Sequence, residues 1–79
     1  MKKRNNLIGK IAIIDCLVEQ LEKIGIKTNP HVYPGKKVKI YRYEGNHPDF
    51  GEMYAVNDGS GISHLFFFII PLKWLNVQE

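Results

Sequence analysis

The sequence has a single cysteine and no long apolar segment. Cys16 is the only cysteine among 79 residues, which excludes an intramolecular disulfide. A lone thiol is typical of a reducing compartment, so we expect a cytoplasmic protein. No run reaches the roughly 18 apolar residues of a membrane-spanning helix. Lys10 and Asp15 interrupt the apolar stretch 7–18, and no small-residue cleavage site follows, which argues against a secretory signal.

The residues that carry metal and nucleophilic chemistry are few and scattered. Cys16, His31, His47 and His64 show no CxxC, HxH or HxxxH spacing, so we expect neither a metal site nor a cofactor. Ser63 and His64 are adjacent in a predicted strand, where neighbouring side chains point to opposite faces. A nucleophile beside its base is therefore not predicted, and we expect a protein that is not an enzyme.

The composition is that of one small globular domain, residues 1–79, with 44% hydrophobic and 24% charged residues. The formal net charge of +3 permits an acidic partner without requiring one. Two of the eleven basic residues are arginine and nine are lysine. This usage is typical of an AT-rich genome, such as that of a low-GC bacterium or its phages.

The N-terminal third has the apolar periodicity of a helix. Apolar side chains recur at spacings of three and four, at Leu7, Ile11, Ile14, Val18 and Leu21. This spacing predicts an amphipathic helix over residues 6–24 that ends at Gly25. Ile8, Ala12 and Cys16 form a second apolar stripe on such a helix. Either the rest of the domain encloses the helix, or the stripe is an interface with another copy or a partner.

The second half, residues 35–77, has the pattern of antiparallel strands. We predict strands over residues 36–43, 52–56 and 62–70, and a short turn and last strand over 72–77. Residues 45–51 are a predicted loop, and 57–61 are a hairpin turn rich in Asn, Asp and Gly. The run 65–70 is apolar at every position, so we expect one of its faces to meet the interior and the other to meet the helix.

Four segments of this half resemble the SH3-like small barrels, including those of phage and prophage proteins of Gram-positive bacteria. The segments are KKVKI (36–40), GEMYAV (51–56), NDG (57–59) and IPLKWL (70–75). The resemblance implies a non-enzymatic platform that binds peptide, protein or nucleic acid. The predicted fold class is therefore α+β, with one N-terminal amphipathic helix packed on a small antiparallel SH3-like barrel or meander.

The first predicted strand is the most basic part of the chain. Its exposed face would carry Lys37, Lys39, Tyr41 and Tyr43, with Lys36 at its start and Arg42 on the reverse face. Lysines neutralise phosphates and tyrosine rings stack on bases, so this strand suits single strands or RNA. The alternative is that its lysines serve solubility and discourage pairing between edge strands.

Aromatic residues suggest a second candidate surface. In SH3-like barrels, aromatics near the first loop and the last short turn often line a peptide groove. By that resemblance the groove would be lined here by Tyr41, Tyr43, Phe50, Tyr54 and Trp74. The alternative is that Phe50 and Trp74 plug the ends of the barrel.

These features lead to three functional hypotheses. The first is a small binding protein of phage or mobile-element type that occupies a protein or nucleoprotein target as an inhibitor or adaptor. The second is a DNA- or RNA-binding module that uses the basic, tyrosine-bearing strand. The third is a structural homodimer subunit that uses the stripe of Ile8, Ala12 and Cys16. No membrane partner is expected.

Overall fold

Strand-forming residues dominate the computed structural model, which describes residues 7–59 and 67–78. Within these residues five antiparallel strands form one sheet in the order β4-β3-β2-β1-β5. The strands are β1 (Ile11–Ile14), β2 (Lys37–His47), β3 (Gly51–Asn57), β4 (Phe68–Pro71) and β5 (Leu75–Val77). A short helix, α1 (Val18–Lys23), follows β1, and a 3₁₀ helix (Leu72–Trp74) joins β4 to β5. No helix in this part of the chain has the length and apolarity to cross a membrane.

The predicted helix over residues 6–24 is wrong for most of its length. Gly9 has φ +89°, a left-handed conformation that breaks a helix at this point. The β-branched run after it forms β1, which pairs with both β2 and β5. Only α1, six residues long, remains helical. The expected fold class, an N-terminal helix packed on a barrel, is therefore replaced by a five-stranded sheet with one short helix among the described residues.

The apolar stripe of Ile8, Ala12 and Cys16 depended on that helix and has no helical basis. Ala12 lies in β1 and is 0% exposed, whereas Ile8 is 44% exposed. Cys16 is half-buried and packs against the core. A fully buried Ala12 cannot belong to a surface stripe, so the geometric argument for a homodimer interface fails.

The strand predictions of the second half are closer to the structure. β2 extends the predicted strand 36–43 as far as His47, and the predicted loop 45–51 shortens to a turn before β3. At the end of β3, the Gly59 N–H donates to Asn57 Oδ1 at 3.0 Å, in the manner of an Asx turn. Residues 60–66, which include the rest of the predicted turn and the start of the predicted strand 62–70, lie outside the described residues.

The core brings together side chains from the sheet, the helix and the crossing segment between them. Its buried members include Ile40 on β2, Tyr54 on β3 and Ile70 on β4. Leu21 of α1 and Val32 of the segment before β2 are buried with them. Burial of these apolar surfaces is the main stabilising contribution, and it ties α1 and the crossing segment to the sheet.

Two bulges interrupt the alternation of side chains along β2. The pairing with β3 shifts between Ile40 and Arg42 and again between Tyr43 and Gly45. Tyr41 and Glu44 are therefore extra residues opposite β3. An extra residue reverses the side-chain alternation beyond it, which redirects the polar groups that follow.

Candidate binding surface on β2

Four side chains beside the first bulge form a contiguous cluster, which we call the basic–aromatic stack: Lys39, Tyr41, Phe67 and Arg42. Lys39 Nζ lies 5.5 Å from the centre of the Tyr41 ring. The Tyr41 and Phe67 rings meet edge to face, with centroids 5.4 Å apart. The Arg42 guanidinium lies 4.7 Å from the centre of the Phe67 ring. Two rings are thus flanked by two cations, with distances typical of cation–π contacts.

The stack is accessible from solvent. Tyr41 is 36% exposed and Lys39 is exposed, whereas Ile40 between them and Val38 before them are buried. The Arg42 side chain is 55% exposed and donates from Nε to Glu44 Oε2. Lys37 is also exposed, two residues before Lys39 on the same strand. The surface therefore presents three cations beside two aromatic rings, with one carboxylate at its edge.

The predicted alternation of exposed and buried side chains holds from Lys37 to Ile40 and fails beyond the first bulge. Arg42 was expected on the reverse face, but the bulge turns it to the same Phe67 ring that Tyr41 contacts. Tyr43 was expected beside Tyr41, but it lies opposite Tyr54, and the two rings are 5.4 Å apart. Because Tyr54 is fully buried, Tyr43 packs against the core rather than joining the stack.

Lys36 belongs to a different cluster at the start of β2. Its Nζ lies 3.9 Å from Asp58 Oδ2 and 5.7 Å from the centre of the Tyr33 ring. The Asp58 side chain is 7% exposed, and the same oxygen lies 2.6 Å from His31 Nδ1. These contacts hold the crossing segment against the end of β3. Lys36 is therefore assigned to an internal electrostatic contact and not to the stack.

Four of the five aromatic residues predicted to line a peptide groove pack in pairs, Tyr43 on Tyr54 and Phe50 on Trp74. Trp74 is 7% exposed, and the Phe50 ring meets it edge to face at 5.5 Å. The Phe50 ring also has its centre 4.8 Å from the centre of the His47 ring and 5.8 Å from Lys73 Nζ. Trp74 thus belongs to the core, and the half-buried Phe50 ring packs against it. This arrangement favours the alternative in which both rings plug an end of the fold.

Phe67 was not among the predicted site residues. The available signal was the run 65–70, which is apolar at every position, so that both of its faces are expected to be covered. The prediction assigned the second face of this run to the N-terminal helix. With that helix absent, Phe67 contacts Tyr41 and Arg42 instead.

Nothing in the described part of the chain groups three or more of His, Cys, Asp and Glu as a metal site would require. The His31–Asp58 contact supplies two potential ligands, with Lys36 as their neighbour. A lysine ammonium is a competing cation at such a carboxylate. The contacts of Asp58 with His31 and Lys36 therefore explain this cluster without a metal ion.

Cys16 is expected to react slowly with thiol reagents. Partial burial, together with the neighbouring Asp15 carboxylate, raises the pKa of the Cys16 thiol. A higher pKa lowers the thiolate fraction at pH 8, so alkylation at that pH should be slower than that of free cysteine and should rise steeply at higher pH. Asp15→Asn should increase the rate modestly. An alkylation rate at pH 8 equal to that of free cysteine would contradict this expectation.

Comparisons of the chain with protein-family models, with curated proteins and with solved structures find no significant match. The assignment of a function therefore depends on the geometry of the surface itself. The basic–aromatic stack is the feature with the most specific chemistry.

Proposed function

We propose that this chain is a small non-enzymatic binding protein that holds single-stranded nucleic acid on the basic–aromatic stack. The observation that carries the proposal is the chain of contacts beside β2, in which a cation lies over each ring and the two rings meet edge to face. Proteins that bind single strands combine cationic side chains, which contact the phosphate backbone, with aromatic rings on which bases stack. Both elements occur here within one cluster.

Each part of the surface has a role in the proposed complex. Lys37, Lys39 and Arg42 neutralise phosphates, and the Tyr41 and Phe67 rings contact the faces of bases. A duplex hides those faces in its own base stack, so rings on a sheet select an unpaired strand. The existing contacts between rings and cations also restrict the side chains before binding, which reduces the entropy lost on association.

The contacts of the other candidate residues favour nucleic acid over a peptide partner. Phe50 and Trp74 were among the residues predicted to line a peptide groove, but these two rings pack on each other. Tyr43, a third candidate anchor, packs on Tyr54. The resemblance to SH3-like barrels, the phage origin and a role as inhibitor or adaptor stay predictions. A nucleoprotein target remains compatible with the proposed surface.

Removal of one ring tests the proposal. The probe is a fluorescent oligo(dT) of about 11 nucleotides, within the site sizes of small single-strand binding folds. Fluorescence anisotropy should detect binding at low salt, and Tyr41→Ala should weaken it at least fivefold, because one stacking contact contributes about 1–3 kcal/mol. The matched control is Tyr33→Ala. Tyr33 is 42% exposed and also lies beside a lysine, but outside the stack.

Salt dependence tests the role of the cations. With three phosphate contacts, the logarithm of the association constant should fall with the logarithm of salt concentration with a slope of about −2. Lys39→Ala should reduce the slope by about 0.7. A wild type that does not bind oligo(dT) at low salt, or that binds a duplex of equal length as tightly, would overturn the proposal.

A further inference from the structure

An apolar strip lies next to the basic–aromatic stack on the outer face of the sheet, the face turned away from the core. All four residues of β1 are apolar, and two of them, Ala12 and Ile14, are buried in the core. Successive side chains of a strand point to opposite faces, so Ile11 and Ile13 lie on the outer face. Ile11 is 36% exposed and Ile13 is half-buried. We call these two side chains the β1 strip, which offers apolar surface to a ligand.

The β1 strip is bordered by lysines. Ile11 lies opposite Lys39 on β2, and Ile13 lies opposite Lys37. Directly opposed residues share a face of the sheet, with Cβ atoms about 4.5–5.5 Å apart, and both lysines are exposed. Apolar surface beside positive charge complements a ligand that has both apolar and anionic groups, as a nucleic acid has. Two copies of the chain that met through this strip would instead bring their own lysines together, which favours nucleic acid as the occupant.

Lys39 connects the β1 strip to the basic–aromatic stack. Its Nζ lies 5.5 Å from the centre of the Tyr41 ring, and Ile11 lies opposite it on β1. The Lys39 side chain therefore stands beside both an aromatic ring and an aliphatic side chain. The Phe67 ring has its own cation, Arg42, 4.7 Å from its centre. Because the strand order is β4-β3-β2-β1-β5, Phe67, Tyr41 and Ile11 follow one another across the sheet, each with a cation beside it.

We infer that the single strand held on the stack crosses the sheet onto β1, where Ile11 is the contact surface for a third base. The inference rests on the proposed function, in which Tyr41 and Phe67 contact two bases. A base that covers Ile11 removes apolar surface from water, and the Lys39 ammonium neutralises the phosphate between the second and third nucleotides. Every base has a face that can make this contact, so Ile11 lengthens the site without adding a sequence preference.

The test replaces Ile11 by one side chain that stacks better and by one that offers less apolar surface. Ile11→Tyr should tighten binding of the oligo(dT) probe about threefold or more, because a ring at this position adds a stacking contact. Ile11→Thr keeps the β-branched shape and should weaken binding about threefold, as expected for the loss of roughly one buried methylene contact. The matched controls are Val18→Tyr and Val18→Thr, which should leave the affinity unchanged. Val18 is 41% exposed on α1, and α1 packs on the core side through Leu21.

Each outcome separates this inference from the proposed function. Binding of oligo(dT) with equal affinity by the wild type, Ile11→Tyr and Ile11→Thr overturns the third contact and leaves single-strand binding in place. No binding by the wild type overturns both. A wild type that sediments as a dimer, with Ile11→Thr as a monomer, makes a second copy the occupant and overturns the inference. If the variants are unfolded by circular dichroism, an NMR titration of the wild type with a thymidine trinucleotide decides. The amide signals of Ile11 and Tyr41 should shift together, and a shift of Tyr41 alone overturns the inference.

Discussion

Ala12→Asp is expected to leave most of the chain unfolded at 25 °C. Ala12 is 0% exposed in β1, a strand with neighbours on both sides, and its side chain lies in the core cluster. A carboxylate there has to lose its hydration or shift its pKa upward, at a cost of several kcal/mol. A domain of this size has a free energy of unfolding of only about 3–5 kcal/mol. Far-UV circular dichroism and a thermal melt measure the result.

Ile8→Asp is the matched control, since it introduces the same carboxylate four residues earlier. Ile8 is 44% exposed, so the melting temperature should stay within a few degrees of the wild type. The predicted helix instead placed both residues on one stripe, either enclosed by the rest of the domain or forming an interface, so the two substitutions would have had similar effects. A folded Ala12→Asp variant, combined with a wild type that sediments as a dimer, would contradict the strand assignment and restore the interface.

Trp74→Ala is expected to destabilise the domain by about 3–5 kcal/mol, enough to remove most of its stability. Trp74 lies at the end of the 3₁₀ helix, is 7% exposed and supports the Phe50 ring at 5.5 Å. Truncation would leave a large cavity and remove the contact that positions Phe50. Urea denaturation followed by circular dichroism measures the free energy of unfolding, if enough folded protein remains.

Tyr33→Ala serves as the control for Trp74→Ala, because Tyr33 is an exposed aromatic residue whose loss should cost less than 1 kcal/mol. The comparison also decides between the two interpretations of Trp74. A groove anchor would lose partner binding and keep its stability. If Trp74→Ala unfolds at the same urea concentration as the wild type, then the assignment of Trp74 to the core is wrong.

The N-terminal third shows why periodicity alone misled the prediction. Apolar residues at spacings of three and four fit one helix, yet they span a turn, a strand and α1: Leu7, Ile11, Ile14, Val18 and Leu21. Two local signals opposed the helix, namely Gly9 and the β-branched residues of β1. What decided the outcome was non-local. β1 fills the space between β2 and β5, and these partners lie far along the chain.

The candidate site was predictable to the extent that β2 alternates regularly. Buried Val38 and Ile40 with exposed Lys37 and Lys39 follow directly from a period of two. Beyond Ile40 the prediction failed for Arg42, because a bulge depends on how the partner strand pairs and leaves no clear mark in the sequence.

The pairing of β1 with β5 also determines how the domain responds to force. Ala12 lies opposite Val77 and Ile14 opposite Leu75, so the outer ends of the two strands are neighbours. The Gln78 N–H donates to the Ile11 carbonyl at that end, and the Asp15 N–H donates to the Trp74 carbonyl at the other. A pull applied to the two ends of the chain loads these bonds one after another, as in unzipping, and not all together. Mechanical opening therefore begins at β1 and β5, while the hairpin of β2 and β3 still holds the basic–aromatic stack.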